Sequence, residues 1–299
     1  MRRIQVITDS CSDLSGELLE KYGIDYARMN TVYKGKETPA SLTWEYYTPK
    51  ELYDIMRGGE RVLTTQVPVE EFNRIFRKYL DEGCDLIYIA CSSGQSGSIN
   101  TSRVVAAKLA PEYPDAKIAC IDALNACMGE GLLAIRAAEL VREGKDIDTI
   151  EKTINGLRNY VNQYVTVQSL DSLRRAGRVK GSAAFFGNLM GIKPILISDA
   201  DGVQTPIKKA KGRAGSLREM VNMLKESIVN PEEQTVYLAH ADCSEEEVRT
   251  MQQLIRDNIP CKDVVTVYIG PIIGSCVGPE TFGIWAFGKE ITYRVGEAK

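Results

Sequence analysis

The stretch Cys91-Ser-Ser-Gly-Gln-Ser-Gly-Ser-Ile-Asn100 places four serines and two glycines within ten residues, with no Lys, Arg or Asp among them. It follows the apolar run Asp85-Leu-Ile-Tyr-Ile-Ala90 and precedes a helical pattern. Neutral hydroxyls, together with the unpaired N–H groups of a helix start, can orient a carboxylate or phosphate by hydrogen bonding alone. Two further apolar runs end in polar turns, Thr8-Asp9-Ser10 and Asp122-Ala-Leu-Asn125, and Thr64-Thr65-Gln66 precedes a helix beginning near Val69. In open α/β sheets, ligands sit beyond the carboxyl ends of the strands, where such turns fall. A single hydroxyl-rich turn is most often a helix cap.

Spacing excludes several chemistries. Gly94 and Gly97 do not match a dinucleotide fingerprint, no Gly-Lys-Ser/Thr follows, and Gly94-Gln-Ser96-Gly97 misses the G-x-S-x-G of a nucleophile elbow. The single histidine, His240, follows an apolar run at 235–239. Ser93 or Ser96 with Asp122 and His240 would follow the hydrolase order Ser–Asp–His, so a serine hydrolase of lipid-like esters is the enzyme alternative. The eight cysteines contain no CxxC pair, which leaves no zinc set and no expected metal. Basic residues gather at Arg174, Arg175, Arg178 and Lys180, and again at Lys208, Lys209, Lys211 and Arg213. Such runs are usually solvated faces; the functional alternative is an edge that faces an anion or a partner.

These turns need strands and helices to position them. Strands are expected at 4–8, 26–33, 85–90, 117–121, 164–168, 194–198, 235–239, 264–269, 282–287 and 291–294. Helices are expected at 14–22, 49–57, 69–82, 99–109, 130–143, 147–161, 182–190, 214–228 and 245–257. Thr48-Pro49 and Ser244 with Glu247 supply helix-start signals. The alternation predicts an α/β fold of two domains, 1–150 with a largely parallel sheet and 151–299 with a mixed sheet. At 299 residues, 26% charged and net charge −3, the composition gives no reason to expect nucleic acid or an anionic membrane as partner. No run of 18 apolar residues suggests an integral membrane segment, and uncrosslinked cysteines favour the cytosol.

Taken together, ITDSCSDL (7–14), TTQVPVEEF (64–72), SSGQSGS (92–98), IDALNACMGEG (121–131), LRRAGRVKG (173–181), GIKPIL (191–196), DG (201–202) and IGPIIGSCVGP (269–279) resemble the DegV family of bacterial fatty-acid-binding proteins along nearly the whole chain. The resemblance implies two α/β domains with a long-chain fatty acid between them and no other cofactor. It implies a carrier without catalysis of its own, which presents the acyl carboxylate to a separate fatty acid kinase. Thr64, with Thr65 beside it, and Ser93 stand at the carboxylate-binding positions, with Ser96 and Gly97 shaping the same turn. Ser10, Asp122, Cys276 and Val277 are expected near the head group. Phe185, Phe186, Leu189, Met190, Ile192 and Ile195 are expected to line the acyl chain, and Arg178, Lys211 and Arg213 to face a partner or phosphate. The chain departs from the family pattern in reading Ser96-Gly97-Ser98-Ile99 for the usual Ser-Gly-Thr-Tyr. Cys276 stands where a histidine is common, and Lys211 where many members have arginine.

Overall fold

The computed structural model describes residues 2–181 and 191–295. The expected helix 182–190, with Phe185, Phe186, Leu189 and Met190, lies outside them. Strands β1 (Arg3–Asp9), β2 (Asp25–Ala27), β6 (Cys84–Ala90) and β7 (Ile118–Asp122) form a parallel sheet in the order β2-β1-β6-β7. Every residue of β6 is buried, the continuous apolar pattern of a parallel strand covered on both faces. Helix α3 (Val69–Asp81) covers one face through Phe72, Ile75, Phe76 and Leu80, and Phe72 meets the Tyr88 ring edge-on at 5.1 Å. Helices α1 (Gly16–Tyr22), α2 (Pro49–Arg57) and α4 (Ser98–Leu109) complete the first part. Helix α2 starts with a Thr48–Glu51 capping box and Pro49 in its first turn.

A mixed six-stranded sheet occupies the second part. Its order is β10 (Gln204–Lys211), β9 (Ile192–Ser198), β8 (Val161–Thr166), β13 (Phe282–Phe287), β11 (Thr235–His240) and β12 (Asp263–Tyr268). Only β11 and β12 pair in parallel. Strand alternation sorts its side chains. Ile195, Leu238, Phe282 and Ile284 pack with α8 (Gly212–Ser227) and α9 (Glu245–Asn258). Val161, Val165, Leu196 and Trp285 point the other way, into the core that contains α5 (Met128–Arg142). Helix α5 touches β1 and β6 on one side and β8 and β13 on the other, and is buried around almost its whole circumference. Helix α6 (Ile147–Leu157) then leads into β8.

Several elements differ from the sequence expectation. The apolar run 26–33 divides into β2 and β3 (Asn30–Tyr33) as the chain changes sheets. The Arg28 N–H is taken by Glu71 Oε1 at 3.0 Å and the Met29 N–H by Ser10 Oγ at 3.1 Å. Strand β3 pairs with β4 (Lys36–Pro39) and β5 (Leu63–Thr65) in a small antiparallel sheet that the sequence reading missed, as it missed α7 (Asp171–Ala176) and α10 (Pro271–Val277). Residues 158–161 are a 3₁₀ turn and the start of β8, not the end of a helix. Residues 291–294 form no strand: three of the four are exposed, so no buried face stabilises pairing. The lysine run 208–211 lies in β10, at the sheet edge, where charged side chains discourage pairing with another chain.

The β9–β10 turn docks on the serine-rich turn. Gly202 has φ +75°, and its carbonyl accepts from Ser92 Oγ at 2.7 Å and Gln95 Nε2 at 3.0 Å. A Cβ there would lie 2.8 Å from Leu124 Cα, whereas one on Gly144, at the same φ, would meet nothing within 4 Å. Gly202→Ala should therefore lower the unfolding free energy in urea by about 2–4 kcal/mol, and Gly144→Ala by about 1 kcal/mol.

Candidate functional site

The turns after β1 and β6, with Ala126 and Cys127 ahead of α5, face the inner side of the six-stranded sheet across a cavity of about 480 Å³. That size lies within the range of small-molecule sites, roughly 300–1,000 Å³. Val165, Leu173, Leu196, Ile269, Ile272 and Trp285 supply apolar wall. Buried Gln163 and Gln204 also line it and bond each other at 2.6 Å, so neither amide needs a ligand. The opposite end is polar, with Thr64, Thr65, Gln66 and the turn from Ser93 to Gly97. Arg178 is the one charged residue in the lining among the described residues; its Nε donates to Gln95 O at 3.3 Å.

The serine-rich turn divides its hydroxyls between two tasks. Ser92 Oγ is committed to Gly202, and Ser96 Oγ lies 3.0 Å from Ser98 Oγ, which accepts the Val67 N–H at 3.2 Å. Gly97 caps α4, and a Cβ on it would stand 2.1 Å from Gln66 Oε1, so glycine lets the Gln66 amide cross the turn. Gln66 Nε2 in turn donates to Thr101 Oγ1 at 3.0 Å. Two hydroxyls remain uncommitted. Ser93 is exposed at the cavity and its Oγ has no partner among the described residues. Thr65 Oγ1 is buried without a partner. Thr64 faces Cys276, whose thiol pKa is raised chiefly by burial.

Other expected site residues fall elsewhere. Cys276 and Val277 of α10 line the cavity, but Ser10 and Asp122 do not. Ser10 Oγ donates to Ala40 O at 2.9 Å, and Asp122 Oδ1 accepts the Ser93 and Leu124 N–H groups, each at 3.1 Å. Both residues shape the chain around the site. Ile195 points away from the cavity into the α8 and α9 layer, Ile192 is not in the lining, and Leu196 takes the expected place. The apolar run Pro194–Ile197 gives no parity from which to choose between neighbours. Lys211 is exposed where β10 meets α8. Arg213 is engaged by Glu247 at 3.0 Å and lies over the Phe282 ring at 4.8 Å, on the far face of the sheet. The residues missed by sequence, among them Met29, Gln163, Gln204 and Trp285, come from the β2–β3 link, β8, β10 and β13 and carry no local motif.

His240 cannot complete a triad with Ser93 or Ser96. It alternates with Ala239 on β11, so its ring lies on the α8 and α9 face, 4.4 Å from Tyr268 and 6.2 Å from Phe282. Both serines lie across the sheet in the cavity. His240 Nδ1 is buried without a partner, and desolvation lowers its pKa to about 4. Asp13 is shifted in the opposite sense. Burial raises its carboxyl pKa to about 8 although Oδ1 accepts the Gly270 N–H at 2.9 Å.

Comparison with known proteins extends these observations. The family model described as "uncharacterised protein, DegV family" matches residues 3–289. A DegV domain-containing protein of Clostridium perfringens is 37% identical over 288 residues, covering 96% of this chain and 98% of its own. A solved structure of a DegV family protein from Thermus thermophilus, described by its fatty acid binding, matches with a TM-score of 0.84. It is 26% identical and covers 96% of this chain and 100% of that one. A DegV lipid-binding protein from Thermotoga maritima matches with a TM-score of 0.82 at 25% identity, over 97% and 100% of the two chains.

The histidine shift has a measurable sign. Between pH 4 and 6.5 the unfolded chain binds a proton at His240 that the folded chain excludes, so this contribution is complete above 6.5 and lost as pH falls to 4. Asp13 opposes it, since its contribution declines as pH rises from 3.8 to 8. The comparison must therefore be made against a variant. In urea titrations, the stability of wild type relative to His240→Phe should fall by about 2–3 kcal/mol on acidification across the histidine window.

Proposed function

The chain belongs to the DegV family, and from that premise we propose that its cavity holds a long-chain fatty acid, with Thr64, Thr65 and Ser93 hydrogen-bonding the carboxylate. The observation that carries this reading is the cavity's polarity: apolar walls at one end, and at the other two hydroxyls with no partner among the described residues. The fatty acid binding of the Thermus thermophilus relative supports it. Two α/β domains enclose the acyl chain, the first, expected over 1–150, extending through the end of α6.

The tail supplies most of the affinity. About 15 methylenes at roughly 0.8 kcal/mol each offer on the order of 12 kcal/mol before ordering costs. A charge-assisted hydrogen bond adds about 1.5–3 kcal/mol. Hydroxyls therefore set the register of the head group while the hydrocarbon wall holds the molecule. Arg178 adds a positive charge at the polar end without occupying the Ser93 hydroxyl.

The protein acts as a carrier, not as an enzyme. Ser93 is exposed, so a carboxylate bound there stays within reach of a second protein. The family resemblance points to an ATP-dependent fatty acid kinase as that partner, forming an acyl phosphate on the presented carboxylate. Cys276, half-buried beside Thr64, cannot provide the imidazole proton transfer that a histidine could.

Native mass spectrometry of the chain purified from cells should show one long-chain acid per protein. Ser93→Ala and Thr65→Val should each weaken re-uptake by the delipidated protein by about 1.5–3 kcal/mol. Leu196→Asp should abolish it. A folded, delipidated wild type that takes up no fatty acid would refute the reading.

A further inference from the structure

The parallel pairing of β1 with β6 places Ile7 opposite Tyr88. Continued beyond the strands, that register sets Cys91 beside Ser10 and Cys11, residues far apart in sequence. Glu130, in the first turn of α5, reaches the same point from a third element. Cys11 Sγ, Cys91 Sγ and a Glu130 carboxylate oxygen all lie within 4.8 Å of one another. Their exposures are 3%, 1% and 0%. Glu130 Oε1 accepts from Thr8 Oγ1 at 2.6 Å and from the Asp9 N–H at 3.3 Å, while Oε2 is buried with no partner. Met29 Sδ lies 3.5 Å from Cys11 Sγ.

We propose that Cys11, Cys91 and Glu130 form a binding site for one thiophilic divalent cation of the zinc class, with its fourth position open to the cavity.

The donor set suits such an ion. Two thiolates and a carboxylate are ligands of borderline-soft divalent metals, and three protein ligands leave one position for a further donor. Tetrahedral zinc with sulfur and oxygen ligands holds them about 3.5–3.8 Å apart, a contraction of at most about 1.3 Å from the present limit. Cys11 and Cys91 also line the cavity, which provides an entry path into an otherwise closed core.

The charge arrangement agrees. Asp9 accepts from Tyr88 Oη at 2.7 Å and from the Cys11 and Cys91 N–H groups at 2.9 and 3.1 Å. Hydrogen bonds to Asp9 and Glu130 thus come from hydroxyls and backbone, and among the described residues no Lys, Arg or His side chain donates to either. A divalent ion placed among these buried thiols and carboxyl groups favours their ionised, ligating forms. On binding, the metal–sulfur bonds replace two S–H bonds and a metal–oxygen bond replaces the carboxyl O–H, and the released protons pass to water. No oxidant or reductant is needed. Sequence reading could not find this set, because zinc motifs are recognised by local spacing and these ligands come from the turn after β1, the turn after β6 and the start of α5.

Cadmium and zinc titrations of the reduced, metal-free, full-length chain test the assignment without any fatty acid, so the result is independent of the acyl reading. One ion per chain is expected by native mass spectrometry, with a thiolate-to-cadmium charge-transfer absorption. Cys11→Ser/Cys91→Ser should lower affinity roughly 100-fold or more, and Glu130→Gln roughly tenfold or more, since even outer-shell partners carry about 10–100-fold. Cys120→Ser/Cys261→Ser should leave it unchanged. The assignment fails if wild type binds no stoichiometric ion, if the Cys11/Cys91 variant or Glu130→Gln binds as tightly as wild type, or if Cys120→Ser/Cys261→Ser loses binding. Should a ligand variant not fold, cadmium NMR of wild type decides: a two-sulfur environment supports the site, and an environment with any other sulfur count overturns it.

Discussion

Helix α5 is the constraint on which the rest of the structure depends. It has almost no surface left for water, because β1 and β6 cover one side and β8 and β13 the other. Two sheets with apolar inner faces are therefore held at the separation one helix demands, and neither can slide without exposing the same buried side chains. Ala126 and Cys127, just before the helix, line the cavity. The open space begins where the helix that fills the interface ends.

That geometry makes the carboxyl ends of the parallel strands the natural place for polar chemistry. Backbone groups there have left the sheet but remain inside the protein, and they must find partners. Asp9, Asp122 and Ser10 meet that need by accepting backbone N–H groups, which builds turns instead of binding a ligand. Ser92, Ser96 and Ser98 are consumed in the same way. Counting hydroxyls therefore overstates a binding capacity, and the informative atoms are those left over, Ser93 Oγ and Thr65 Oγ1.

The two halves of the site differ in how far sequence could reach them. The family resemblance pointed to Thr64, Thr65 and Ser93, because the turns that carry them are contiguous in the chain. The apolar wall was less legible. Ile195 and Leu196 are adjacent and equally apolar, and only the pairing of β9 with β8, Leu196 opposite Val165, decides which of them faces inward. His240 illustrates the same limit from the catalytic side. Its position after an apolar strand resembled a site residue, but the pleat directs it to the opposite face.

The sequence by itself determined the alternating α/β order, the parallel character of the first sheet, and the capped starts of α2 and α9. These depend on periodicity and on side chains that bond within a few residues of themselves. Only the tertiary structure decided which face of each strand is inside, which hydroxyls are spent, and that Cys11, Cys91 and Glu130 meet. Those facts depend on pairings between segments tens of residues apart, whose register is set by packing across the whole interface and by no local preference.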